Sequence, residues 1–165
     1  PENYKETVNK RIINESGINL GKIKYDDKIL HRSKVIKLFT ENADKKKVQK
    51  DFDKIYRKIK KNRKYFYSAK DLALINTLKN ENLEIPKDFN YEELSKKYDV
   101  PENLLELANK DEPAFLTLKI IEIIGEDEPY QLDPETIYFI TFLLNQMDLK
   151  KIRNEVLISA LPQRI

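Results

Sequence analysis

Apolar and polar positions along this chain recur with a helical period, and the clearest case runs from residue 44 to about 61. There Val48, Phe52, Ile55, Tyr56 and Ile59 fall at i, i+4, i+7, i+8 and i+11, one face of an amphipathic helix. Its opposite face gathers Lys46, Lys50, Arg57 and Lys61 into one basic ridge at 100° per residue. Upstream, Tyr4, Val8 and Ile12 stand at four-residue spacing and predict a short helix over 2–16 that ends before Gly17. Residues 17–25 predict a loop or short extended piece. Asp26 or Asp27 then caps a helix in which Ile29, Ile36 and Phe39 share a face, running to about 41 with His31 inside it.

Downstream, Ser68 and Asp71 have the spacing of a capping box and lead into a helix carrying Leu72, Ile75 and Leu78. Pro86 marks a break. Short helices over 91–98 and 101–109 follow, opened by Asn90 and Asp99. Residues 113–124, PAFLTLKIIEII, are apolar around almost the whole circumference, the pattern of a central helix packed on several sides. Pro113 suits its first turn and Gly125 its exit. The run is far too short for a bilayer, which needs about 20 apolar residues. Asp133-Pro134-Glu135 opens a helix over 134–147 with Ile137, Phe139, Ile140, Leu143, Leu144 and Met147 available for burial. Asp148 is expected to cap a last helix, with Leu149, Ile152, Val156 and Ala160 inward and Lys150, Lys151, Arg153, Asn154 and Glu155 outward, before Pro162 ends it.

Helices joined mostly by short connections imply antiparallel neighbours. The predicted fold is therefore all-α, with helical hairpins packed as a short α-solenoid or an irregular bundle of about seven to eight helices. Only Gly17, Gly21 and Gly125 are available for tight hairpin turns, which leaves β-structure little material. A chain of 165 residues is expected to form a single domain, 1–165, with one core. Its start at Pro1 suggests a segment of something longer.

Charge divides the chain. Residues 1–67 carry net +11 and residues 68–165 net −8, so the basic half can steer an anionic partner, pair with the acidic half, or set up head-to-tail contacts between copies. Lysine outnumbers arginine by 25 to 6, a compositional bias that discounts raw lysine counts as chemistry.

The absence of cysteine removes disulfides, thiolate metal sites and cysteine nucleophiles together, and suits cytoplasm and periplasm alike. One histidine, His31, excludes histidine-pair metal sites and HExxH proteases; it is taken as a surface or boundary residue. No serine sits in a GxSxG elbow. Gly17 to Lys22 has three residues between its glycines where a phosphate loop has four, and Ile23 where Ser or Thr must reach magnesium. Glu126, Asp127 and Glu128, and the pair Asp26-Asp27, lack the ligand alternation of a calcium loop. No cofactor or catalytic group is assigned.

The tail LDPETIYFITFLLNQMDLKKIRNEVLISALPQ resembles one helix-turn-helix unit of a tetratricopeptide-type superhelix, including the α-superhelix beside the catalytic domain of soluble lytic transglycosylases. The resemblance covers residues 113–162, with Ala160 at the close-packed small position; the Trp and Gly of the tetratricopeptide pattern are absent. It implies a bacterial envelope location. It implies no lytic activity, because the family's glutamate-serine motif with its Gly-rich continuation is not present: Glu15-Ser16 is the sole Glu-Ser pair, and the residues after it do not match.

The leading expectation is a non-enzymatic, protein-binding scaffold module, with Lys150, Lys151, Arg153 and Glu155 on the last helix as candidate contacts. The alternative is a nucleic-acid-binding domain in which Lys46, Lys50, Arg57 and Lys61 meet phosphates while Tyr65 or Tyr67 stacks on bases. A third is the accessory domain of a cell-wall-lytic enzyme.

Overall fold

A computed structural model describes residues 30–40, 43–63, 65–110 and 112–161. The expected helix over 2–16, the loop over 17–25, the Asp26 or Asp27 cap, Ile29 and Pro162 lie outside the described residues. Among these residues, seven α-helices follow two short 3-10 turns: α1 (Lys45–Lys61), α2 (Ala69–Asn80), α3 (Tyr91–Ser95), α4 (Glu102–Asn109), α5 (Pro113–Ile124), α6 (Pro134–Gln146) and α7 (Lys150–Ala160). A third 3-10 turn, Pro129–Gln131, precedes α6. Among the described residues there is no strand, and the fold is all-α as expected.

The helix expected up to residue 41 is instead a pair of 3-10 turns, Leu30–Arg32 and Lys34–Phe39, separated at Ser33. Ser33 is extended, and its hydroxyl oxygen accepts from the Val35 N–H, so the chain restarts there. The second turn buries Val35 with Leu38 and Ile36 with Phe39. These i, i+3 pairs eclipse one another at three residues per turn, which a search at 3.6 residues per turn overlooks.

The central helix is α2, a correction to the expectation that α5 would be. Leu72, Ala73, Leu74, Ile75 and Leu78 are at most 1 % exposed, and α2 packs against α6, α3 and the first 3-10 turn. Its polar residues Asp71 and Thr77 are buried too, because each finds a partner: Thr77 Oγ1 donates to the Ala73 carbonyl at 2.9 Å. By contrast α5 leans chiefly on α4 and buries only Leu116 and Ile120. Apolarity all round thus marks a helix at the edge, and the smaller, more mixed α2 occupies the centre.

Buried side chains form two clusters. One joins the 3-10 turns, α1, α2 and parts of α6 and α7; the other joins α4, α5, α6 and α7. The expected single core is therefore bilobed, with α6 and α7 feeding both lobes and Val100 and Leu132 packed against each.

Several helix starts follow their sequence signals, whereas the expected opening by Asp99 is not found: α4 starts after Pro101, which has no side chain able to accept from the first turn. Asp44 caps α1 by accepting from the Lys46 and Lys47 N–H groups, Ser68 and Asp71 form the reciprocal capping box of α2, and Asp133 caps α6 by accepting from the Thr136 N–H. Asp148 departs from expectation. It adopts a left-handed backbone (φ 53°) that ends α6, with the Leu149 N–H returning to the Leu144 carbonyl at 2.9 Å, so it terminates the preceding helix instead of capping the next. Gly125 leaves α5 at φ 61°, a conformation for which glycine alone carries no Cβ penalty.

Urea denaturation distinguishes the two apolar helices. Leu74→Ala in α2 is expected to cost about 3 kcal/mol as a core truncation, while Leu118→Ala in α5 stays within about 0.5 kcal/mol; equal losses would contradict the assignment of α2 as the centre.

Candidate interaction surfaces

The outer face of α1 is built by periodicity. With Val48, Phe52 and Ile59 committed to the core, Lys46, Lys47, Lys50, Lys54, Arg57, Lys58 and Lys61 are all exposed and fall within an arc of about 120°. Asp51 and Asp53 lie at the two borders of this arc, not within it, and Asp53 accepts from Gln49 Nε2 at 2.9 Å. The two remaining lysines turn aside and are paired, Lys45 with Glu81 at 3.0 Å and Lys60 with Asp88. Among the described residues, no cation of the arc forms an ion pair. Lys34 and Lys37 of the preceding 3-10 turn join Lys47 along a cleft whose other walls are Thr40, Ala43, Asp44, Val48 and Asp51.

Beyond α1 the three aromatics separate. The Tyr65 hydroxyl accepts from the Leu30 N–H at 2.9 Å and donates to Asp71 Oδ2 at 3.1 Å. Burial, and then the Asp71 charge, push its pKa well above the usual phenol range. Tyr67 stands edge-on to both Tyr65 and Phe89, each at 5.0 Å, and burial raises its pKa also. Both tyrosines are half-buried. Phe66 between them is 59 % exposed, with Lys97 Nζ 6.0 Å above its ring.

His31, expected at the surface, is buried at 6 % exposure. The reason is Asp71, fully buried itself, whose Oδ1 accepts from the His31 N–H at 3.0 Å and faces His31 Nδ1 at 2.9 Å. Oδ2 accepts from Tyr65 and from the Ser68 N–H. Ser68 Oγ meanwhile accepts from the Asp71 N–H at 3.2 Å. Serine, histidine and aspartate are therefore neighbours, but the serine oxygen closes the first turn of α2 and the carboxylate fastens the N-terminal turn to it. This is helix capping extended across two elements.

On α7, Lys150, Lys151 and Glu155 are exposed as expected, whereas Arg153 is 1 % exposed. The inward face of α7 is Arg153, Val156, Leu157 and Ala160, rotated from the expected Leu149–Ile152–Val156–Ala160 stripe. Arg153 Nη1 donates to Asn80 Oδ1 and Asn145 Oδ1, both at 2.9 Å, and Nη2 donates to Glu81 Oε1 at 2.6 Å and Asn154 Oδ1 at 2.8 Å. Asn145 Nδ2 continues the chain to Thr77. Partial burial alone would raise the Glu81 carboxyl; hydrogen bonds from Arg153 and Lys45, with the charges of Arg153 and Lys150, more than offset this and hold it below the ordinary range. Sequence reasoning missed this network. The recurrence of 153, 156, 157 and 160 at i, i+3, i+4 and i+7 is its one visible trace.

The last surface is the outer side of α5. Phe115 is 51 % exposed, Leu118 63 % and Ile121 57 %, three positions within an arc of about 120°; Ile123, on the other side of the helix toward Leu116 and Ile120, and Tyr130 on the following turn are exposed as well. Acids stand at the two ends of α5: Glu112 before the helix and Glu122, Glu126, Asp127 and Glu128 at and after its last turn are exposed, and among the described residues Glu122 alone of these has a cation, Lys119 at 2.7 Å. Among the described residues, no group of three or more His, Asp or Glu side chains is placed to hold a metal ion, and no helix is long and apolar enough to cross a membrane. No family model, curated protein or solved structure matches the chain.

Removing the Arg153 guanidinium strands buried partners, so Arg153→Met is expected to lower stability by about 3 kcal/mol or more. Because the folded Glu81 carboxyl titrates below its unfolded value, its contribution is present above the unfolded pKa of about 4.3 and is lost as pH falls through the folded value. Glu81→Gln should accordingly lose stability at pH 7 and flatten the acid limb of the urea midpoint between pH 5 and about pH 3; an unchanged acid limb would contradict the linkage.

Proposed function

We propose that this chain is a non-enzymatic helical module that binds another protein through the outer face of α5. The observation that carries the reading is the exposure of Phe115, Leu118 and Ile121 along one face of one helix. Surface apolar residues scattered singly need no explanation, but a contiguous apolar face is the usual mark of an interaction site. Phe115 and Leu118 would supply the buried anchors around which interface energy concentrates.

The acidic rim selects the occupant: a helical segment with its own apolar stripe and with lysine or arginine along its flanks. A second copy would bring another acid-flanked face, with Glu112 at one end and the 126–128 acids at the other, against the first, a juxtaposition of like charge that costs affinity. Lys150, Lys151 and Glu155 on α7 offer a second, charged point of contact. A repeat-like hairpin architecture similar to tetratricopeptide-type superhelices, and a place in a bacterial envelope or assembly protein, including as the accessory domain of a cell-wall-lytic enzyme, belong to the same proposal.

Selection from a displayed library of helix-forming peptides tests it. Enriched sequences should carry i, i+3 or i+4, i+7 apolar residues with basic flanks, and should lose at least tenfold in affinity for Leu118→Asp and Ile121→Asp proteins whose melting temperatures are unchanged. Enriched peptides indifferent to both substitutions would refute the assignment of α5.

A further inference from the structure

The basic arc of α1 has no part in the α5 reading and belongs to the other lobe of the core. Its composition within a lysine-biased chain says little; its arrangement says more. Both acids of the helix's outer half stand at the borders of the arc, and the two lysines outside it are the ones that carry ion pairs. What remains is an uncompensated cationic strip. Lys46, Lys50, Arg57 and Lys61 stand along it at rises of about 6, 10 and 6 Å, and Lys34 and Lys37 extend it onto a second element beside a cleft.

We propose that this strip is a binding site for the phosphodiester backbone of nucleic acid, held without base readout. Three features of the surface select that ligand. Among the described residues, none of the exposed large hydrophobics belongs to α1, so the strip lacks the apolar centre that protein interfaces bury. The apolar side of α1, Val48, Phe52 and Ile59, is sealed in the core, so the helix has nothing to insert below lipid headgroups. Cations alone, repeated along a helix, match a ligand whose charge also repeats, and such binding gains its free energy from counterion release.

The tyrosines refine the mode. Tyr65 and Tyr67, the residues expected to stack on bases, spend their hydroxyl and ring edges on Asp71, Leu30 and Phe89. Without a stacking platform on the strip, affinity should be set by phosphate density, so duplex binds at least as well as single strand and sequence is immaterial.

Fluorescence anisotropy with labelled 20-base-pair duplexes of two unrelated sequences, and with one of the single strands, over a salt series tests this. Equal binding of both duplexes is expected, with log affinity falling against log salt at a slope of about −4 or steeper for four to six phosphate contacts. Lys50→Glu/Arg57→Glu should lose at least tenfold in affinity and flatten the slope by about two. Lys50→Arg should bind as the parent does, and Leu118→Asp should leave oligonucleotide binding untouched, which keeps this test separate from that of α5. The proposal is overturned by an absence of binding at low salt, by binding that survives the double reversal in a protein of unchanged melting temperature, or by preferential capture of the strip by phosphatidylserine vesicles. It is equally overturned if the double reversal abolishes only association between copies of the chain.

Discussion

A buried guanidinium holds the centre of this fold in register. Arg153 reaches from α7 to Asn80 and Glu81 at the end of α2 and to Asn145 on α6, so three helices that supply both lobes of the core meet at one charge. Such a group is tolerable only because every donor direction is answered: among the described residues, no buried side-chain nitrogen or oxygen lacks a partner. A buried charge that is paired and fully hydrogen-bonded specifies geometry even where an apolar replacement of equal volume could match its energy. Glu81 extends the influence of Arg153 to α1, through Lys45. The Asp71 cluster does the equivalent work at the opposite end of α2, fastening His31 and Tyr65.

With α2 locked at both ends, the helices around it are free to present their outer sides. The molecule offers two chemically opposite ones. On α1 the core takes the apolar stripe and leaves cations; on α5 the core takes two residues and leaves an apolar face rimmed by acids. A chain carrying both could join an electrostatically held ligand to a partner held by desolvation, and the two surfaces would respond differently to salt: attraction at α1 weakens as ions screen it, while apolar burial at α5 does not.

Local signals were legible to the extent that local physics fixes them. Asp44, Ser68 with Asp71, and Asp133 each announced a helix start, since a cap is a contact over two or three residues. The stripe of α1 was legible because one face meets the core and the other meets water. What stayed hidden depends on partners far along the chain. From sequence Arg153 reads as outward, because nothing near it in the chain shows Glu81 or Asn80, more than seventy residues away. His31 reads as outward for the same reason, its partner Asp71 lying 40 residues on. The misplacement of the central helix has a different origin. Apolar residues at all angles identify a helix able to be buried, but which helix is buried is decided by packing, and α2 is the more buried, with small alanines, Thr77 bonded within the helix and Asp71 answered by His31, Tyr65 and Ser68.

The exposed face of α5 is the feature on which the functional account turns, and solvent access to its methyl groups tests it most directly. Methyl-labelled protein titrated with a soluble paramagnetic agent should show strong relaxation enhancement for Leu118 and Ile121 and little for Leu116 and Ile120, one to two positions away on the same helix. Uniform protection of all four would contradict the account, for it would mean that this face is already covered in the free protein.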